Sequence, residues 1–125
     1  SSYRNFSKQI KIVKINLNKL LIKLKKEGKN IIGYGAAAKT TTLLNYFNID
    51  KEKINFIVDD NKLKQNKFTP GTHIPIKSSD HIYRNKVDYI IILAWNYSSY
   101  IMKVHKKFKK NKGKFIVPFP NIKIF

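Results

Sequence analysis

The sequence predicts an α/β fold of Rossmann-like design: a mainly parallel sheet with helices on both faces, preceded by an amphipathic helix. Three observations carry this. Residues 5–27 repeat apolar side chains at helical spacing. A strand-like run then enters a glycine-rich turn and leaves it as a helix, from Asn30 to Asn48. Beyond that, short apolar runs alternate with helical or polar stretches, an order that implies parallel strands joined by crossovers.

The elements follow in order. Phe6, Ile10, Val13, Leu17, Leu20 and Leu24 step by three and four and share one helix face. Lys8, Lys11, Lys19, Lys23 and Lys26 fall largely outside that stripe, and Gly28 is the expected C-cap. The expected organisation is a linker helix over 1–29 and one domain over 30–125, the whole looking like a piece excised from a longer protein. Asn30–Tyr34 reads as a buried strand, Ala36–Asn48 as a helix and Ile54–Asp60 as a second strand. Lys62–Thr72 reads as a loop, and Ile74–Ile76 as a short edge strand, where proline is tolerated. Ser78–Asn85 offers one or two helical turns. Val87–Trp95 is the central strand, Tyr97–Lys110 a helix, and Lys114–Val117 a last strand closed by Pro118-Phe119-Pro120.

The 125 residues fit one domain with a real core. With no cysteine, disulfides and thiolate metal sites are excluded, and the three histidines lack metal-ligand spacing. No run reaches the ~18 apolar residues of a membrane helix, and no signal-peptide pattern opens the chain, so a cytoplasmic location is the default. The formal charge of +19 suggests nucleic acid, but 24 of the 26 basic residues are lysine. Arginine, the usual reader of base edges, is nearly absent. Abundant Lys, Ile and Asn read as the codon bias of an AT-rich genome; attraction of phosphorylated ligands is the next reading.

The sharpest local signal is Gly33-Tyr34-Gly35-Ala36-Ala37-Ala38-Lys39, which fits G-x-G-x-x-G/A between a strand and a helix. In that reading Gly33 allows a tight turn, Gly35 lets a phosphate approach the backbone, and Ala38 lets the helix sit close to the strand. The helix start offers N–H groups to an anion, with Lys39 and Thr40 in the first turn. Asp59 ends the second strand where dinucleotide folds bind a ribose hydroxyl. The bland alternative is a tight turn without a ligand, and an Asp that caps a loop. No acid precedes the glycines, so the turn does not look like a SAM site, and no G-K-[ST] makes it a P-loop.

Two further stretches are candidate ligand contacts. The loop Pro70-Gly71-Thr72-His73 is expected at the carboxyl edge of the sheet. Trp95 and Asn96 end the central strand at that edge, where Trp95 suits stacking and Asn96 suits helix capping or a ligand hydrogen bond. His105, inside a lysine-rich helix, is expected to be solvated. No nucleophile–base pair and no acidic metal cluster is present in the pattern, so no catalytic or metal residue is assigned.

Jointly, several blocks resemble a known family. They are the glycine turn through Lys39, Leu43-Leu44-Asn45-Tyr46, Val58-Asp59-Asp60-Asn61, Lys64-Gln65 and Pro70 to Ile76. Ala94-Trp95-Asn96-Tyr97 and Gly113 to Pro120 complete the set. In this order the chain resembles the C-terminal domain of SAM-dependent nucleotide-sugar C-methyltransferases. The resemblance implies a longer parent with a zinc-binding part and a SAM-binding domain upstream, the partner of this one. A nucleotide-linked (dTDP-type) keto-deoxysugar would lie between the two domains. Gly33, Tyr34, Gly35, Ala36, Lys39, Thr40, Asp59, Pro70–His73, Trp95 and Asn96 are then the candidate substrate contacts. SAM and zinc would be held elsewhere, and the base that removes the α-proton is expected outside this segment. The family often has glycine where this chain has Thr40, and proline where it has Ala37. The competing reading is a free-standing nucleotide or NAD-binding module; a basic nucleic-acid adaptor lacks the arginine and stacking motifs it would need.

Overall fold

A computed structural model describes residues 2–125; for residues 2–4 and Ala38 only the backbone is described. The elements are α1 (Ser2–Lys26), β1 (Ile31–Tyr34), α2 (Ala38–Phe47), β2 (Ile57–Val58), β3 (Lys67–Phe68) and β4 (Pro75–Lys77). They continue with α3 (His81–Arg84), β5 (Tyr89–Ile92), a 3-10 turn (Trp95–Tyr97), α4 (Ser98–Val104), α5 (Lys106–Lys110), β6 (Lys114–Val117) and β7 (Lys123–Ile124). The sheet order is β3-β4-β2-β1-β5-β6-β7. The inner five strands are parallel, and β3 and β7 pair antiparallel at the two edges. This is the α/β Rossmann-like sheet expected, with both flanks closed by short antiparallel strands.

Alternation along each central strand sends side chains to two cores. Ile31, Ile91 and Ile116 pack with α1 and α2 through Val13, Leu17, Leu21, Leu24, Leu44 and Phe47. Ile32, Ile90, Ile92, Phe115 and Val117 pack on the other face with Ile82, Ile101 and Phe108 of α3, α4 and α5. The stripe read from the sequence is thus the inner face of α1, and α1 lies on its own sheet. Asn18 reinforces this by donating to Phe47 O at 2.7 Å while accepting from Lys53 Nζ at 2.7 Å. No helix among the described residues is long and apolar enough to cross a membrane.

Several boundaries differ from expectation, each for a local reason. Helix α2 ends at Asn48 in the left-handed conformation (φ 58°), with Ile49 N–H returned to Leu44 O at 2.9 Å. The predicted helix 97–110 is broken at His105, whose backbone (φ −106°, ψ 34°) leaves the helical region and separates α4 from α5. The predicted loop 62–72 contains β3, whose two exposed residues carry no alternation a sequence reading can detect. Ile74–Ile76 is therefore not the edge: β3 covers it. β7 returns along β6 through Phe125, which exchanges both backbone bonds with Phe115.

Candidate functional site

β1 hands the chain to α2 on one face, and its neighbour β5 hands it to α4 on the other. The two exits diverge and leave a crevice outside the carboxyl ends of β1 and β5, the switch point of an open parallel sheet. The crevice holds about 290 Å³ and is lined by Ala37, Lys39, Thr40 and Leu43 on one side and Leu93 to Tyr97 on the other. Lys39 is exposed at its mouth and Thr40 is buried in its wall. Ala37, the N-cap of α2, makes no side-chain cap hydrogen bond, and the positive end of the helix dipole faces the crevice.

Gly35 explains how the exits meet. Its φ is +98°, and a Cβ there would lie 2.9 Å from Ala94 Cβ. Its N–H donates to Val58 O at 2.9 Å and so serves the ladder. Gly33 does not make the tight turn assigned to it. It lies inside β1, where an added Cβ would meet Leu93 Cδ1 at 2.8 Å, so the space under Leu93 excludes a side chain. The helix starts at Ala38 rather than Ala36, because Ala37 is still extended (φ −67°, ψ 160°).

Asp59 Oδ2 accepts from Ala36 N–H and its Oδ1 from Asn61 N–H, both at 2.8 Å. Each oxygen therefore holds backbone, and the acid pins the β2 exit to the glycine turn. The residue expected as a ribose partner is thus also a clamp on the protein itself, with its negative charge at the β2 side of the turn. Lys39 and the start of α2 lie on the crevice side of the turn.

Tyr34 ends β1 facing away from the crevice, and it organises a partly buried polar chain. Its Oη donates to Asp60 Oδ2 at 2.7 Å and lies 3.0 Å from His105 Nε2; His105 Nδ1 lies 2.9 Å from Tyr83 Oη. With the Tyr34 proton committed to Asp60, the Tyr34 oxygen accepts from His105 Nε2–H, and Nδ1 accepts from Tyr83 O–H. His105 is 6% exposed, so it is buried rather than solvated as expected; the break between α4 and α5 turns it inward. Burial lowers its pKa below the ordinary 6.5, against a smaller upward pull from Asp60. Burial also holds the Tyr34 phenol well above its ordinary 10.0, reinforced by the hydrogen bond to Asp60.

The loop Pro70-Gly71-Thr72-His73 lies at the opposite edge of the sheet from the one predicted. It precedes β4, which runs parallel to β2, so it stands at the amino ends of the strands, against the end of α2. There Thr69, 1% exposed, receives Ile74 N–H on its Oγ1 at 2.8 Å and meets Thr72 Oγ1 at 2.5 Å. Gly71 (φ +79°) passes so close to Asn45 that a Cβ would meet its Oδ1 at 2.8 Å. The His73 ring stacks on Phe68 at 4.3 Å. These contacts account for the loop as a hairpin built to close on itself, and it shares no wall with Lys39 or Trp95.

Trp95 and Asn96 do reach the crevice. Asn96 caps nothing: Ala94 and Tyr97 hold the cap positions of the 3-10 turn and α4, and neither bonds through a side chain. The sequence reading assigned no ligand role to Phe6 or Phe119, which the fold brings beside Trp95. The rings of Trp95 and Phe119 lie 5.3 Å apart, and those of Phe119 and Phe6 5.7 Å. Phe6 opens the apolar stripe of α1, and Phe119 lies in the marked Pro-Phe-Pro. Their convergence is the one signal that could have joined them, and it is tertiary. No group of three His, Cys, Asp or Glu among the described residues could hold a metal.

Fold and switch-point crevice define a Rossmann-like α/β domain of the open, doubly wound class. Its family follows from comparison: residues 1–120 match the C-methyltransferase C-terminal domain, and the chain belongs to that family. The C-methyltransferase NovU of Streptomyces niveus is 36% identical over 122 residues, covering 98% of this chain and 29% of that protein. The chain thus spans under a third of the length of this relative.

Proposed function

We propose that this domain holds the substrate side of a SAM-dependent C-methyltransferase, binding a nucleotide-linked keto-deoxysugar of the dTDP type through its diphosphate at the β1/β5 crevice. The observation that carries the reading is the start of α2, without a side-chain cap and followed by Lys39 and Thr40, opening on the exit of the neighbouring parallel strand. Two phosphate charges fit a helix N-terminus and a lysine ammonium; a sulfonium such as that of SAM does not. Membership of the family supplies the class of reaction. In such a reaction a base takes the proton next to the sugar ketone, and the resulting enolate carbon forms a bond to the methyl as the S–CH3 bond breaks. This chain's part is to fix the sugar by its nucleotide end. SAM and zinc belong in this reading to other segments of the longer enzyme, together with the base.

Calorimetric titration at low salt with dTDP, UDP, NAD and SAM tests the reading. The expected result is binding of dTDP and UDP that weakens with salt, tenfold or more weaker in Lys39→Ala, the scale of one charge-assisted contact. Heat with NAD alone would transfer the domain to the dinucleotide binders.

A further inference from the structure

Beside the crevice lies a second concavity of about 350 Å³, lined by Phe6, Ile10, Lys39, Thr42, Leu43, Phe47, Trp95 and Phe119. The two share Lys39, Leu43 and Trp95 and so form one continuous depression. Phe6, Phe119 and Trp95 line it as successive ring contacts, and Gln9 Nε2 ties α1 to the same rim by donating to Pro120 O at 3.0 Å. Lys39, Thr42 and the indole N–H of Trp95 are its polar side-chain groups among the described residues, and Thr42 is engaged within the protein.

We propose that this aromatic trough seats the nucleobase of the ligand whose diphosphate occupies the crevice, recognising it chiefly by stacking on its faces rather than by readout of its edge. The proposal rests on the nucleotide-sugar reading above and adds its mode of recognition. Continuity fixes the occupant: a charged group drawn to Lys39 at the junction leaves its attached planar ring beside Trp95, Leu43 and Phe119. A purely apolar peptide would satisfy the trough but leave the lysine unanswered. Aromatic walls bind any base through its π-face, while a base edge is told apart by donors and acceptors, which are few in this lining. The domain therefore holds nucleoside diphosphates firmly but separates one base from another poorly.

Trp95 is the only tryptophan in the chain, so its fluorescence reports the trough directly. The probes are dTDP, UDP, ADP and inorganic pyrophosphate, each followed by emission and by calorimetry. The nucleoside diphosphates are expected to quench Trp95 and to bind at least tenfold more tightly than pyrophosphate, with dissociation constants within about fivefold of one another. Phe6→Ala, at a half-exposed position near the start of α1, is expected to weaken the three nucleotides about fivefold and leave pyrophosphate unchanged. Nucleotides that bind no better than pyrophosphate, or leave Trp95 emission unmoved, would overturn the trough while sparing the crevice. Discrimination among bases above about 50-fold would overturn recognition chiefly by stacking. Silence from all four probes would remove both readings. Self-association that shields Trp95 without ligand would make the trough a protein interface.

Discussion

Asp59→Ala separates a clamp from a ligand contact. The substitution deletes two bonds of 2.8 Å in which a carboxylate accepts backbone N–H. Charge-assisted bonds of this kind contribute about 1.5–3 kcal/mol each. Asp59 is only half-buried, so the lower figure applies to each, and the variant should lose about 3 kcal/mol. At about 4 °C per kcal/mol for a domain of this size, the melting temperature should fall by about 12 °C. Asp59→Asn keeps one acceptor oxygen and should lose about half as much. Urea unfolding followed by circular dichroism gives the free energies, with an unchanged m-value showing that the same surface is exposed. The opposite pattern would refute the reasoning: Asp59→Ala melting within 2–3 °C of the parent, on the same scale, while nucleotide affinity falls more than tenfold. Asp59 would then be a ribose partner, as dinucleotide-binding folds use it.

Other outcomes follow from the same contacts. Burial keeps His105 below its ordinary 6.5, so the unfolded chain takes the proton first. Stability should therefore be full above that pH and decline as pH falls below it, and the slope should flatten in His105→Gln. Nitrogen NMR at neutral pH should show His105 protonated on Nε2, the tautomer that Tyr34 and Asp60 impose; protonation on Nδ1 would reverse the proton order drawn here. Gly35→Ala should be among the most damaging single-methyl additions, because it combines a positive φ with a contact of 2.9 Å to Ala94; denaturation should place the loss at about 2 kcal/mol or more. Leu17→Ala, at a fully buried position on α1, should cost about 3 kcal/mol in the same assay, as a core residue rather than a linker would.

Much of the fold was open to reading in the sequence because its cues are local. The stripe from Phe6 to Leu24, the isoleucine runs of β1 and β5, and the glycine turn between strand and helix each act within a few residues. The blocks that carry the family resemblance are also linear, and they placed the chain correctly. What failed was anything that depended on direction or on distant partners. β3 consists of two exposed residues, yet its antiparallel return sets which end of the sheet receives Pro70 to His73. Asp59 has the position of a ribose ligand in sequence, and only the tertiary structure shows that it also clamps Ala36 N–H. His105 sits among lysines along the chain, and only a broken helix turns it toward Tyr34 and Tyr83.

By itself, then, the sequence determined the class of sheet, the helix that covers it and the turn at its centre, since periodicity and turn chemistry are properties of neighbours along the chain. Tertiary structure alone decided which motifs share an edge. Lys39 and Trp95 meet because adjacent parallel strands send their helices to opposite faces, while Phe6 and Phe119 meet because α1 lies back across the sheet. Such meetings depend on strand order and packing, and spacing along the chain does not encode them.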